Sequence, residues 1–285
     1  MSNTKLSRTY NTLPRPMKYF AKRLYQIWID IQADIRYSGR YPISEMKFRL
    51  IWPFLEKGEI DDLKPFEQRV YSQNGEDGII KIIFYNIGTT NKFCVEFGVG
   101  DGKENNTRYL IERKGWNFLQ MDFGPRTPPN AKKEFVTADN INDLFKKYIV
   151  PKEFDLLSID IDSNDYWVWK AIKNYLPRVV VIEYNASIPP DQAKTIEYDP
   201  KAGWDGTDYF GASLLALEKL GKEKGYSLIG CDSKGINAFF IRNDVLKNYF
   251  VAKSAIKAYR PPGYGRKLRG KHQGHPPSER KMISV

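Results

Sequence analysis

The sequence predicts an α/β domain: a mainly parallel seven-stranded sheet with helices on both faces, a C-terminal antiparallel strand hairpin, and a helical extension at the N-terminus. Two observations carry this. From residue 68 onward, short apolar runs alternate with stretches of helical period, and strands joined through helices form parallel sheets with right-handed crossovers. The last two apolar runs lie too close together for a helix to pass between them, so they pair antiparallel at the sheet edge.

The elements follow in order. Residues 1–16 are polar and broken by Pro14 and Pro16, which suits a loose arm. Over 17–36, Phe20, Leu24, Ile27, Trp28, Ile31 and Ile35 share one helical face, with Lys18, Lys22 and Arg23 near its start. That helix packs on its own protein or meets an anionic surface. Residues 44–57 form a second, shorter helical candidate. A helix is expected near 75–87, then a buried strand in 92–100 and a helix over 105–115 stopped by Gly115. Strands over 116–122 and 133–139, a helix over 141–149 and a strand over 154–162 come next. A helix over 165–176 ends before Pro177, and 178–185 is the fifth strand. After a long loop, 186–207, come a helix within 208–226 and strands over 226–232 and 237–244. Three regions result: a basic arm with helical extension, 1–67; the α/β domain, 68–252; and a basic tail, 253–285, whose Pro, Gly and cations suit a flexible segment.

Charge is unevenly placed. The net charge is +11, with +7 in residues 1–50 and +8 in 251–285, leaving −4 between them. Basic ends can meet an anionic partner or membrane surface, or can be solvated tails. The two cysteines, Cys94 and Cys231, lie in apolar runs, which suits reduced thiols and a cytoplasmic protein, at most peripheral to a membrane. No apolar run is long enough to span a bilayer, and the N-terminus lacks a signal-peptide core. Both histidines, His272 and His275, fall in the tail, so a general base in the central domain would be a carboxylate, Tyr, Lys or a metal-bound oxygen.

The chemistry concentrates at strand ends. Glycines at 98, 100 and 102 let the backbone turn sharply and approach a ligand. The dinucleotide pattern G-x-G-x-x-G is not met, because Lys103 stands where its third glycine belongs, which opposes a nicotinamide dehydrogenase. Asp122 ends the second strand 22 residues after Gly100, where a carboxylate can accept both hydroxyls of a ribose. Asp139 ends the expected third strand and could accept from an exocyclic amine. After the fourth strand, Asp160, Asp162 and Asp165 crowd together. The spacing opposes an EF-hand calcium loop there: position 6 is Asp165 instead of Gly, and position 12 is Ala171 instead of Glu.

Glu-x-Gly-x-Gly-x-Gly at 96–102, the acids at 122 and 139, and the final hairpin resemble class I S-adenosylmethionine-dependent methyltransferases, which have a Rossmann-like three-layer fold. The segment YSQNGEDGI at 71–79 resembles the FkbM-like branch, and the likeness covers about 68–245. Asp160-Ile161-Asp162-Ser163 departs from the Asp-x-Glu-Gly usual in that branch. The resemblance implies S-adenosylmethionine as cofactor and methyl transfer, with a cofactor site that includes Glu96 and Asp160. Gly98 and Gly100 would pass under its methionine part, Asp122 would bind the ribose, Asp139 with Asn140 would lie near adenine, and Gln73, Asp77 and Asn106 would reach the amino-acid end.

The acceptor is expected to be a carbohydrate or other polar small molecule, methylated on oxygen. Alternatives are a nucleic-acid or protein methyltransferase docking through its basic ends, and a cofactor-binding protein without turnover. Asp162 and Glu183 are the catalytic candidates. By strand alternation, Asp160 with Asp162 and Glu183 with Asn185 would converge and could hold Mg²⁺ or Mn²⁺. A metal-free base at Asp162 or Glu183, or a solvated loop with Asp165 as a helix cap, fits the same residues. The 186–207 loop, with Tyr198, Trp204 and Asp205, is either a lid or a surface insertion; of Trp167 and Trp169, at least one belongs to the core.

Overall fold

The structure, a computed structural model, describes residues 59–268 and 270–285. The arm and the helices expected over 17–36 and 44–57 lie outside the described residues. Those that are described belong to one compact unit, Lys57–Val285.

The sheet runs β3-β2-β1-β4-β5-β8-β7. Its strands are β1 (Phe93–Phe97), β2 (Asn117–Asp122), β3 (Lys132–Lys133), β4 (Glu153–Ile159), β5 (Leu176–Glu183), β7 (Tyr226–Cys231) and β8 (Asn237–Arg242). All are parallel except β8, which is antiparallel to both β5 and β7. The expected hairpin is therefore present. The central strands are apolar on both faces, as parallel strands under helices must be: Leu156, Leu157 and Ile159 of β4 and Val179–Ile182 of β5 are fully buried. Asp155, at the opposite end of β4 from the acid cluster, is buried too. It pairs with Arg178 at 2.8 Å and accepts from the backbone N–H groups of Thr90, Asn91 and Lys92. A buried charge persists only with such partners.

The main helices are α1 (Glu76–Ile87), α2 (Arg108–Lys114), α3 (Ile141–Lys147), α4 (Asp165–Ala171) and α5 (Leu214–Glu223). Ser213 caps α5, its hydroxyl accepting from the Ala216 N–H at 3.1 Å. No helix among the described residues is long and apolar enough to cross a membrane. Trp169 is a core residue at 1% exposure, whereas Trp167 is half-buried and donates its indole N–H to the Ile196 carbonyl at 2.9 Å.

Three expectations need correction. The third strand is only Lys132–Lys133, pairing with Met121 and Asp122. Beyond it, Thr137 and Asn140 bond reciprocally, each backbone N–H to the other's side chain, and this tight turn removes Asp139 from any strand. Residues 59–67 belong to the α/β unit, since Ile60 bridges Phe250 and Leu63 is buried. The C-terminal segment is not the loose tail its composition suggests. Tyr184 donates its hydroxyl to the Arg260 carbonyl at 2.7 Å, and the Asp208 N–H donates to the Pro276 carbonyl at 2.8 Å. The Ser278 N–H donates to the Asp208 carboxylate at 2.7 Å, and Ile283–Ser284 pairs with β6 (Lys194–Thr195). A coil pinned through its backbone has no hydrophobic period to betray it.

Candidate active site

The reversal of strand order places β1 between β2 and β4, and ligands of open α/β sheets bind beyond the strand ends at such a point. Gly98 turns there with φ +72°, and a Cβ on it would stand 1.5 Å from the Asp160 carbonyl oxygen, so no other residue fits. Gly100 also has positive φ, borders open space, and donates its N–H to Asp122 Oδ2 at 2.8 Å.

Four of the expected cofactor residues, Glu96, Asn106, Asp77 and Asp139, make hydrogen bonds within the fold. Buried Glu96 accepts from the N–H groups of Asn106 and Thr107 at 2.8 and 3.3 Å, and from the Thr107 hydroxyl and Gln120 amide. Asn106 spends its side-chain amide on the Ser158 hydroxyl at 3.1 Å. Glu96 therefore holds the chain entering α2. Asp77 likewise gathers the Val70, Tyr71 and Ser72 N–H groups at 2.7–2.9 Å, shaping the loop that presents Gln73. Asp139 accepts from the Tyr198 hydroxyl at 2.7 Å and lines neither cavity described below; it ties the long loop to the turn before α3.

The first cavity, about 150 Å³, is lined by Gly98, Asp122, Phe123, Phe135, Val136 and Asp162, with Ala202 and Gly203 of the long loop at its rim. Phe123 and Phe135 keep 59% and 43% of their surface exposed although their rings meet edge-to-face at 5.6 Å. An exposed aromatic pair at a cavity mouth is an invitation to a flat ring. Asp122 Oδ1 accepts from the Gly124 N–H and the Thr127 hydroxyl, and Oδ2 from Gly100. A carboxylate oxygen accepts about two bonds, so Oδ2 has one position open, where the sequence suggested two.

The second cavity, about 240 Å³, is lined by Gln73, Asp160, Asp162, Glu183, Ile236 and the rings of Trp204, Phe210, Tyr264 and His275. Oxygens of Asp160, Asp162 and Glu183 lie within 4.8 Å of one another. Strand alternation is not the reason, because β4 ends at Ile159. Asp162 adopts φ +58°, rare for a residue with a side chain, and Asp165 buckles the turn by accepting from the Ile161 and Ser163 N–H groups at 2.9 and 3.1 Å. Asp165 thus closes the loop before α4. Asn185, expected as a metal ligand, is turned away: it donates to the Asp208 and Phe210 carbonyls and accepts from the Ser187 N–H.

Burial, then mutual repulsion, drives these acids toward protonation. Asp160 and Glu183 are raised well above the ordinary carboxylate range, and Asp165 is pushed up to about 6. Asp162 reaches the surface yet sits within a concavity, and its pKa is raised by desolvation, with His275 opposing. His275 itself is lowered by burial. Asp162 lines both cavities. Reading the sequence missed His275, Tyr264, Phe123 and Phe135. Only Phe123 left a signal, as an aromatic directly after the strand-end acid.

No family model matches the sequence, and no curated protein matches it. Among solved structures, the chain is similar to the plantazolicin methyltransferase BamL in complex with a triazolic desmethylPZN analog and SAH (15% identity, 75% of this chain and 95% of that one, TM-score 0.37). It is also similar to an S-adenosylmethionine-dependent methyltransferase from Clostridium acetobutylicum ATCC 824 (14% identity, 69% and 98%, TM-score 0.36). A third is an O-methyltransferase from Bacillus cereus in complex with SAH (13% identity, 75% and 95%, TM-score 0.35).

Proposed function

We propose that this protein is an enzyme that transfers a methyl group from S-adenosylmethionine to a small polar acceptor. The observation that carries the reading is that Asp162 borders both cavities, so a donor in the first would face an acceptor in the second. The residues of the first cavity fit the cofactor. Gly98 turns the backbone along the cavity wall, the open position on Asp122 Oδ2 takes one ribose hydroxyl, and Phe123 with Phe135 flanks adenine. When bound, the cofactor supplies an electrophilic methyl on a sulfonium. The chain's part is orientation and charge: Ala202, Gly203 and Trp204 of the long loop, with Tyr264 and His275 from the C-terminal segment, wall the two cavities and limit water. Placement near the FkbM-like branch rests on residues 71–79. There Asp77 folds the loop and Glu76 accepts from the Asn237 amide at 3.0 Å.

The test is tritiated S-adenosylmethionine binding to the full chain, with Asp162→Ala beside wild type in single-turnover assays on a polar-metabolite panel. Binding in both proteins and at least a hundredfold slower transfer in the variant are expected. No cofactor binding to the wild type overturns the reading.

A further inference from the structure

The second cavity has an acidic floor and aromatic walls. Asp160, Asp162 and Glu183 bring their oxygens within 4.8 Å of one another, and Glu183 Oε2 is buried with no hydrogen-bond partner. The strongest charges acting on Glu183 are Asp160, Asp165, Asp162 and Asp232, and those on Asp160 are also acids. His275 lines the same cavity, but its burial favours the neutral ring. Above it the rings form a continuous wall: His275 lies 4.6 Å from Trp204, 5.8 Å from Phe210 and 5.2 Å from Tyr264 between centroids. Trp204 keeps 46% of its surface exposed although its N–H is already donated to the Thr207 carbonyl.

Carboxylates this close repel one another and would hinder ionisation of a hydroxyl, whose alkoxide would add further negative charge to the cluster. They attract a cation. A bare metal ion would use the acids but gain little from four rings, whereas an organic cation uses both, its charge on the carboxylates and its carbon frame against aromatic faces. We propose that the acceptor is a small organic amine, entering as an ammonium on Asp160, Asp162 and Glu183 with its carbon frame between Trp204, Phe210, Tyr264 and His275. This rests on the methyl-transfer reading and moves the methylated atom from the oxygen expected from the sequence to nitrogen. The ammonium first gives one proton to a carboxylate of the floor. The freed lone pair then forms the N–CH₃ bond as the C–S bond breaks, its electron pair staying on sulfur. The sulfonium becomes a neutral thioether, the product leaves as a methylammonium, and the carboxylate returns its proton to solvent.

The test compares two probes of one shape, cyclohexylammonium and cyclohexanol, titrated at fixed ionic strength and neutral pH into the full chain loaded with S-adenosylhomocysteine. Cyclohexylammonium should bind at least tenfold more tightly. Glu183→Gln should cut that preference severalfold, and Trp204→Ala, checked for fold by circular dichroism, should weaken both probes. Equal binding of the two, binding of neither by cofactor-loaded protein, or Mn²⁺ binding lost in Glu183→Gln without ammonium binding would overturn the inference and leave the methyl-transfer reading intact. Failure to load the cofactor at all would strike that reading instead.

Discussion

Replacing Asp122 by Ala tests the cofactor cavity with a magnitude set by the structure. Two charge-assisted bonds to a ribose would be worth about 3–6 kcal/mol, a loss of roughly 150- to 25,000-fold in affinity. The geometry permits fewer. Oδ1 already accepts from Gly124 and Thr127, and Oδ2 from Gly100, so one position is left for a hydroxyl. One charge-assisted bond contributes about 1.5–3 kcal/mol, or roughly 10- to 150-fold. The substitution also releases the Gly100 and Gly124 N–H groups, which water can reach in this half-exposed turn, so loosening should add little. Calorimetric titration of S-adenosylmethionine into wild type and Asp122→Ala, both checked for fold by circular dichroism, reads the difference directly. A change below about threefold would refute the placement of ribose at Asp122. A loss well above about 200-fold would refute the bond count.

Two further outcomes follow from the same residues. Asp160 and Glu183 are raised well above the usual carboxylate range, Asp165 to about 6 and Asp232 to about 7, so the folded chain binds more protons than the unfolded one above pH ~4. Stability from these groups is therefore fully present below pH ~4 and falls as pH rises through the folded values. The melting temperature should rise on going from pH 8 to 5.5, and Glu183→Gln should raise it at pH 8 and flatten the profile. A wild type that melts higher at pH 8 than at 5.5 would contradict this. Deleting residues 261–285 should lower the melting temperature and abolish acceptor binding, because Tyr264 and His275 wall the second cavity and the segment's backbone is bonded to the 184–210 region. An unchanged melting curve would return the segment to the status of a loose tail.

Local pattern carried much of this protein. The apolar runs of β4 and β5, the spacing that leaves only a hairpin for β7 and β8, and the glycines after β1 are written in neighbouring residues, because pleat, period and backbone freedom are short-range properties. The acids at strand ends were visible for the same reason, and Asp160, Asp162 and Glu183 do meet. Their partners were not visible. Glu96 and Asp77 look like ligand-binding acids in sequence, yet both Glu96 oxygens and Asp77 Oδ2 accept from backbone N–H groups that only folding brings near. Asn185 lies two residues past Glu183 but is claimed by the carbonyls of 208 and 210. His275 reaches Asp162 across more than a hundred residues of chain, through a Pro- and Gly-rich coil with no period of its own. A side chain's type is local, but which of its lone pairs remain free depends on every group that tertiary structure packs against it, and that competition decides which acids build the fold and which line the cavities.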